Sequence, residues 1–231
     1  MLRVLSAAIL ALCVAACAKP PAPPYDIPSA SVMQPGGEDG LIRYVSPAAD
    51  FQRYESIYIE PVRIYIGAGG RFGTTALEDR EEIGRYMQTE FARALAEKLP
   101  VAAEPGPATL RLRLIMVGLQ TTQPLLAATT HLSLSGMAIN IGRSILGMKG
   151  SFMGSVTYIA EFYDSESDLL LAAFQSERGA HALDISEDIN TLGSAKVGVA
   201  KGARHLRDMV IALRESGGAT QIVAAQGPRR E

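Results

Sequence analysis

Among the side chains that can do chemistry, Cys17 has the most informative neighbours. The chain holds two cysteines, Cys13 and Cys17, both in the first apolar stretch. Val14, Ala15 and Ala16 stand immediately before Cys17. These small residues suit a peptidase pocket, and the thiol beside them can be alkylated to a thioether. Arg3 supplies a short basic start, and Val4 to Ala16 is an uncharged apolar run of secretory h-region length. A bilayer span takes about 20 apolar residues, so this run is too short to cross one. Both thiols lie in this stretch, which excludes a disulfide framework for the folded part.

The run and its cysteine together resemble the bacterial lipobox. That resemblance implies a signal peptide over residues 1–16, cut between Ala16 and Cys17, so that Cys13 leaves with it. It further implies a diacylglyceryl group on the Cys17 thiol and a palmitate-type chain on the freed amine. Each buried methylene contributes about 0.8 kcal/mol and a single chain is marginal, so two or three chains make attachment permanent. Ala18, rather than Asp, follows the cysteine. The implied address is the inner leaflet of the outer membrane, facing the periplasm. The competing readings are an ordinary signal peptide with a chance cysteine, or an uncleaved anchor.

Other candidate chemistry is weaker. Gly67, Gly69 and Gly70 follow a strand pattern and precede a helix pattern, as in a phosphate-cradling loop. Phe72 occupies the position where a dinucleotide fingerprint needs glycine, and no Gly-Lys-Ser/Thr signature occurs. A flexible connection is the better account. Asp164, Glu166 and Asp168 alternate like the opening of a calcium loop. However, Leu169 and Gln175 replace its glycine and closing glutamate, which leaves a solvated turn. His131, His181 and His205 are scattered without zinc spacing. No Gly-x-Ser-x-Gly elbow exposes a serine. The reading is therefore no catalytic residue, no metal site and no cofactor site. Lys196, Arg204, Arg207 and Arg214 lie on one side of a helix pattern and read as a solvated face, with lipid headgroups as the alternative.

The elements that would position these residues are legible from periodicity. Lys19 to Gly37 is rich in proline, so residues 17–40 read as a lipidated cysteine and an extended tether. Ile57 and Ile59 share one phase and Val62, Ile64 and Ile66 the other, which predicts a strand with a bulge near Glu60 and Pro61. Thr75 and Glu78 match a capping box ahead of Ile83, Met87, Phe91, Leu95 and Leu99 at helical spacing. Leu110, Leu112, Leu114 and Met116 alternate with Arg111 and Arg113, predicting a half-buried strand. Gly154 to Phe162 and Leu169 to Arg178, joined by Asp164 to Asp168, predict a hairpin. Val199, Ala203, Leu206, Val210 and Leu213 predict a final helix from Ser194 to the Gly217-Gly218 pair.

These elements predict an α+β, two-layer sandwich: a β-α-β unit, a later antiparallel hairpin and a C-terminal helix on one mixed sheet. With 231 residues, one domain over 41–216 and a loose tail over 217–231 fit. At 48% hydrophobic residues the chain can form a true core. Its formal charge of −2 offers no global positive field, so nucleic acid is not an expected partner. Gln120 to Gly150, with Met137, Ile141 and Ile145 at helical spacing, reads as an inserted helix or flap.

Several short matches occur in order. They are Tyr44-Val45-x-Pro47, Phe51-x-x-Tyr54, Ile59-Glu60-Pro61-Val62 and Glu104-Pro105-Gly106-Pro107-x-x-Leu110-Arg111. The chain thereby resembles the bacterial lipoproteins grouped as domain of unknown function 3313, over about Leu41 to Glu215. The hairpin with Glu161 and Asp164 looks like their later strands, with Ser167 departing from a frequent glycine. The resemblance implies an envelope lipoprotein and brings no activity. The expected role is a non-enzymatic interaction or assembly module with an envelope protein partner or further copies of itself. The alternatives are a lipid or glycan binder and an envelope hydrolase with a dispersed site.

Overall fold

The computed structural model describes residues 23–36, 41–121, 154–179 and 192–216. The expected signal peptide, Cys17 and its flank Val14, Ala15 and Ala16 lie outside these, as do His131, His181, residues 122–150 of the expected flap and the tail 217–231.

Among the described residues, eight strands form one mixed sheet. They are β1 (Gln34–Gly36), β2 (Leu41–Val45), β3 (Ser56–Ile59), β4 (Arg63–Ile64), β5 (Val101–Ala102), β6 (Thr109–Gln120), β7 (Ser155–Asp164) and β8 (Leu170–Gly179). The order is β1-β2-β8-β7-β6-β3-β5, with β4 continuing beside β6. β3, β4 and β5 run in the same direction as β6, and the remaining neighbours are antiparallel. Two helices, α1 (Leu77–Ala96) and α2 (Gly193–Glu215), pack side by side on one face of the sheet. This is the α+β sandwich that the periodicity predicts.

The helical stripes are buried as expected: Ile83, Met87, Phe91, Leu95 and Leu99 on and just beyond α1, and Val199, Ala203, Leu206, Val210 and Leu213 on α2. They meet Leu110, Leu112, Leu114 and Met116 of β6 in a single core. The capping box does not form. The N-cap is Ala76, without a side-chain cap bond, and the Thr75 hydroxyl donates to the Leu119 carbonyl at 2.9 Å. Thr75 is drawn to the end of β6 because a buried hydroxyl needs a partner and that carbonyl supplies one.

The predicted phase change between β3 and β4 is a one-residue slip against β6. Ile59 stands opposite Leu112, whereas Arg63 stands opposite Ile115. One extra residue on the β3–β4 side keeps Ile57, Ile59, Val62 and Ile64 all on the helix side. The Val62 amide finds the side chain of Gln88 at 2.9 Å. Ile66 continues the phase of Ile64 but is 96% exposed. The chain leaves the sheet there and the next glycines carry it away.

The largest departure lies on the opposite face. Proline content places residues 17–40 in a tether, yet residues 23–33 lie across the sheet as a strap. Tyr25 and Met33 bury against Ile115, Val117, Ile159 and Ala173. Tyr25 packs edge-on to Tyr65 with ring centroids 5.5 Å apart, and β1 pairs with β2. Proline-rich sequence suits an extended course over a surface as well as through solvent. The strap makes β6 buried on both sides from Leu114 to Leu119, where alternation alone predicts a half-buried strand.

Candidate functional site

Polar residues gather on the strap side, where β6 presents Arg111 and Arg113. The bulge after Ile59 delivers Glu60 beneath them. Arg113 grips Glu60 with both ends of its fork, Nε to Oε2 at 2.9 Å and NH2 to Oε1 at 3.0 Å. Arg63 donates to Oε2 at 2.9 Å. Arg111 Nε stands 3.3 Å from Oε1, off the hydrogen-bonding direction, so that contact is an ion pair. Its NH2 donates to Asp168 in the hairpin turn.

Tyr163 of β7 carries Arg111 and Arg113 over its ring, 5.0 and 4.8 Å from the centroid. Its hydroxyl donates to Glu161 Oε2 at 2.8 Å. Arg113 NH1 lies 3.7 Å from that oxygen. The second oxygen of Glu161 accepts the Ser29 amide of the strap at 3.1 Å. Glu161 has no exposed surface. The cluster therefore joins three strands and the strap through two acidic residues.

Electrostatics fix the protonation of its central members. Burial alone would raise the Glu60 carboxyl, but the three guanidiniums outweigh it and hold the group below the usual carboxylate range. The hydrogen bond to Glu60 pushes Arg113 up. Burial, then the bond to Glu161, pushes the Tyr163 phenol well above its ordinary value. These three groups keep one charge state throughout neutral pH. Such an arrangement fixes geometry and holds charge, and it poises no proton on them for transfer.

A second polar node stands at the β7–β8 turn. Asp164 accepts from the Tyr54 hydroxyl at 2.7 Å, pairs with Arg53 at 3.1 Å, and accepts from the Ser167 amide and hydroxyl, each at 2.7 Å. Burial works against the charged form, yet these donors win and lower its pKa to about 2. The solvated turn expected for Asp164, Glu166 and Asp168 thus holds for Glu166 and Asp168, whereas Asp164 is 5% exposed. Its oxygens are occupied by protein donors. Among the described residues, no three His, Cys, Asp or Glu side chains gather as metal ligands.

The basic face of α2 is partly taken up by α1. Lys196 meets Glu82 at 2.7 Å, and Arg207 pairs with Glu97. Arg204 remains exposed. The loop Gly67 to Gly73 is not a free connection either. Arg71 bridges to Gly118 of β6, and Phe72 is buried beneath Arg80, 4.6 Å from its ring centroid.

Sequence reasoning did isolate Tyr54, Glu60, Arg111, Glu161 and Asp164, as carriers of a family pattern. It missed Arg113, Tyr163 and Arg63 as their partners. Alternation in β6 already placed both arginines on one face. An acid on a bulge within a parallel neighbour was the signal that could have paired them.

A family model described as "Protein of unknown function (DUF3313)" matches residues 25–206. No curated protein matches the chain. Among solved structures, the PelC dodecamer from Paraburkholderia phytofirmans is similar at a TM-score of 0.38 and 10% identity, covering 78% of this chain and 98% of that one. A DUF4136 family protein from Bacteroides thetaiotaomicron scores 0.35 at 9% identity, covering 74% and 96%. A Xanthomonas campestris protein of family DUF330 scores 0.34 at 11% identity, covering 79% and 92%.

Proposed function

This chain belongs to the DUF3313 family of proteins of unknown function, and from that premise we propose that it is a lipid-anchored envelope protein with a non-enzymatic interaction or assembly domain. The observation that carries the reading is the ion cluster. Glu60 accepts from Arg63 and Arg113 and pairs in charge with Arg111, Tyr163 underlies both β6 arginines, and Glu161 uses its remaining oxygen to hold the strap. The polar centre is spent on fastening the segment that leads back to Cys17. It presents no nucleophile beside a base.

In this reading the acylated Cys17 holds the domain on the periplasmic side of the outer membrane, and the strap transmits that attachment to the sheet. The partner is an envelope protein or a further copy of the chain. Metabolic labelling with an alkynyl fatty acid tests the anchor: the native chain takes up label and fractionates with membranes, and Cys17→Ser does neither. A serine variant that matured and sedimented like the native chain would overturn the anchor. Crosslinking in intact cells tests the module. A reproducible crosslinked species supports it, and repeated recovery of monomer alone counts against it.

A further inference from the structure

We propose that the end of the domain bearing Ile66 is a bilayer-contact surface, with the Ile66 side chain seated among the headgroups of the membrane that holds Cys17. The inference rests on the lipid-anchor reading and deepens it by orienting the domain.

Ile66 is 96% exposed, and Leu77, on the far side of the same loop, is 57% exposed. An aliphatic side chain so fully in solvent is ordinary on a floppy loop, but this loop is fastened. Gly70 donates to the Gly67 carbonyl at 3.4 Å, Arg71 to Val117 at 2.7 Å, and Leu119 back to Arg71 at 3.2 Å. Phe72 inserts below it. Ile66 is thus held outward by a rigid support.

The path of the strap puts the same loop against residues 24–26, a short stretch of chain after Cys17. A Cβ on Gly69, whose φ is +88°, would stand 2.4 Å from the Pro24 carbonyl oxygen, so the two backbones touch. The Asp26 amide donates to the Tyr65 hydroxyl at 2.9 Å. Ile66 is therefore bracketed by Tyr65 and Gly69, which contact residues 24–26. From buried Pro23 to Cys17 there are six residue steps, spanning about 20 Å at full extension. That length keeps the loop within reach of the headgroups, where a tether running to residue 40 would have removed it.

Apolar contact rather than charge carries the interaction. Arg71, the basic residue of the loop, lies 3.7 Å from Glu177. One isoleucine is too little to recruit a soluble domain, but beside a permanent anchor it needs only to orient one. A protein partner would want a groove or a broad patch. A lone outward aliphatic next to a lipidated terminus fits a bilayer.

The test uses the full chain, processed in cells, purified in detergent and reconstituted into phosphatidylethanolamine–phosphatidylglycerol vesicles containing nitroxide-labelled lipid. Ile66→Cys and Leu169→Cys each receive an environment-sensitive nitrobenzoxadiazole dye. Leu169 is also exposed, at 64%, but lies in the hairpin turn at the other end of the sheet. Mass spectrometry first establishes acylation at Cys17. The expected result is blue-shifted emission and quenching several-fold stronger at position 66 than at 169. Acylated, membrane-bound protein with equal quenching at both positions would overturn the contact surface and leave the anchor standing. Unacylated protein would overturn both.

Discussion

Glu161, without any exposed surface, accepts the amide proton of Ser29 at 3.1 Å, and so a residue in the middle of the sheet holds the first described segment of the chain. The two lie 132 positions apart in sequence. A hydrogen bond inside a protein contributes about 0.5–1.5 kcal/mol, a large part of what keeps a short segment docked. Replacing Glu161 by Leu removes this bond and the bond from Tyr163. Hydrogen exchange across residues 25–33 should accelerate by ten-fold or more, while exchange in α1 changes little. Unchanged protection of the strap would contradict the role given to Glu161.

Glu60 compensates three guanidiniums, so its removal leaves Arg113 and Arg111 partly buried without their common anion. Glu60→Leu should cost about 3–5 kcal/mol, because breaking one side of a buried pair is worse than removing both. The double variant Glu60→Leu with Arg113→Met should recover part of that loss. Denaturant unfolding of the single and double variants measures the coupling. Strict additivity would show that the fork contact contributes nothing.

The Asp164 pKa predicts the acid limb of stability. Its folded value, about 2, lies below the ordinary value of 3.8. A carboxyl depressed by folding contributes stability above its unfolded pKa and loses it as pH falls through the folded one. The contribution is about 2 kcal/mol at neutral pH, lost between about pH 4 and pH 2. Asp164→Asn should be less stable than the native chain at pH 7, and the gap should narrow toward pH 2. A gap independent of pH would separate Asp164 from this titration.

Gly198 brings α2 close to β8, since an added Cβ would stand 2.5 Å from the Arg178 carbonyl oxygen. Helix propensity favours Gly198→Ala by about 1 kcal/mol. The clash is with backbone, which cannot rotate away, and overpacking typically costs about 1–3 kcal/mol. A net fall in Tm is therefore expected. The same change at Gly84, where the nearest atom of Ile64 is 3.9 Å from the added carbon, should raise it. Thermal unfolding of both variants gives the two signs.

Much of this fold was readable because burial imposes a period. The α1 and α2 stripes, the β6 aliphatics and the β7–β8 hairpin each repeat at the spacing of their element. The strap was not readable, because its proline content is shared by linkers and surface-hugging segments, and Tyr25 and Met33 show no period. Thr75 also misled, since a capping sequence says nothing of the carbonyl of Leu119 waiting 44 residues away. At the site, the family pattern picked out Glu60, Arg111, Glu161 and Asp164, but the partnership of Glu60 with Arg113 spans 53 residues. Only the register of β3 and β4 against β6 reveals it.

That register has a corollary for how the chain tolerates change in length. The added residue between Ile59 and Arg63 works as a frame correction: upstream and downstream of it, aliphatic side chains alternate in opposite parity yet meet the same layer. Excising one position there would take out the surplus residue, so that Ile57, Ile59, Val62 and Ile64 share a single parity and Ile64 still faces the helices opposite Met116. Natural relatives with one residue fewer in this stretch should therefore keep the same apolar layer, with a regular ladder in place of the bulge.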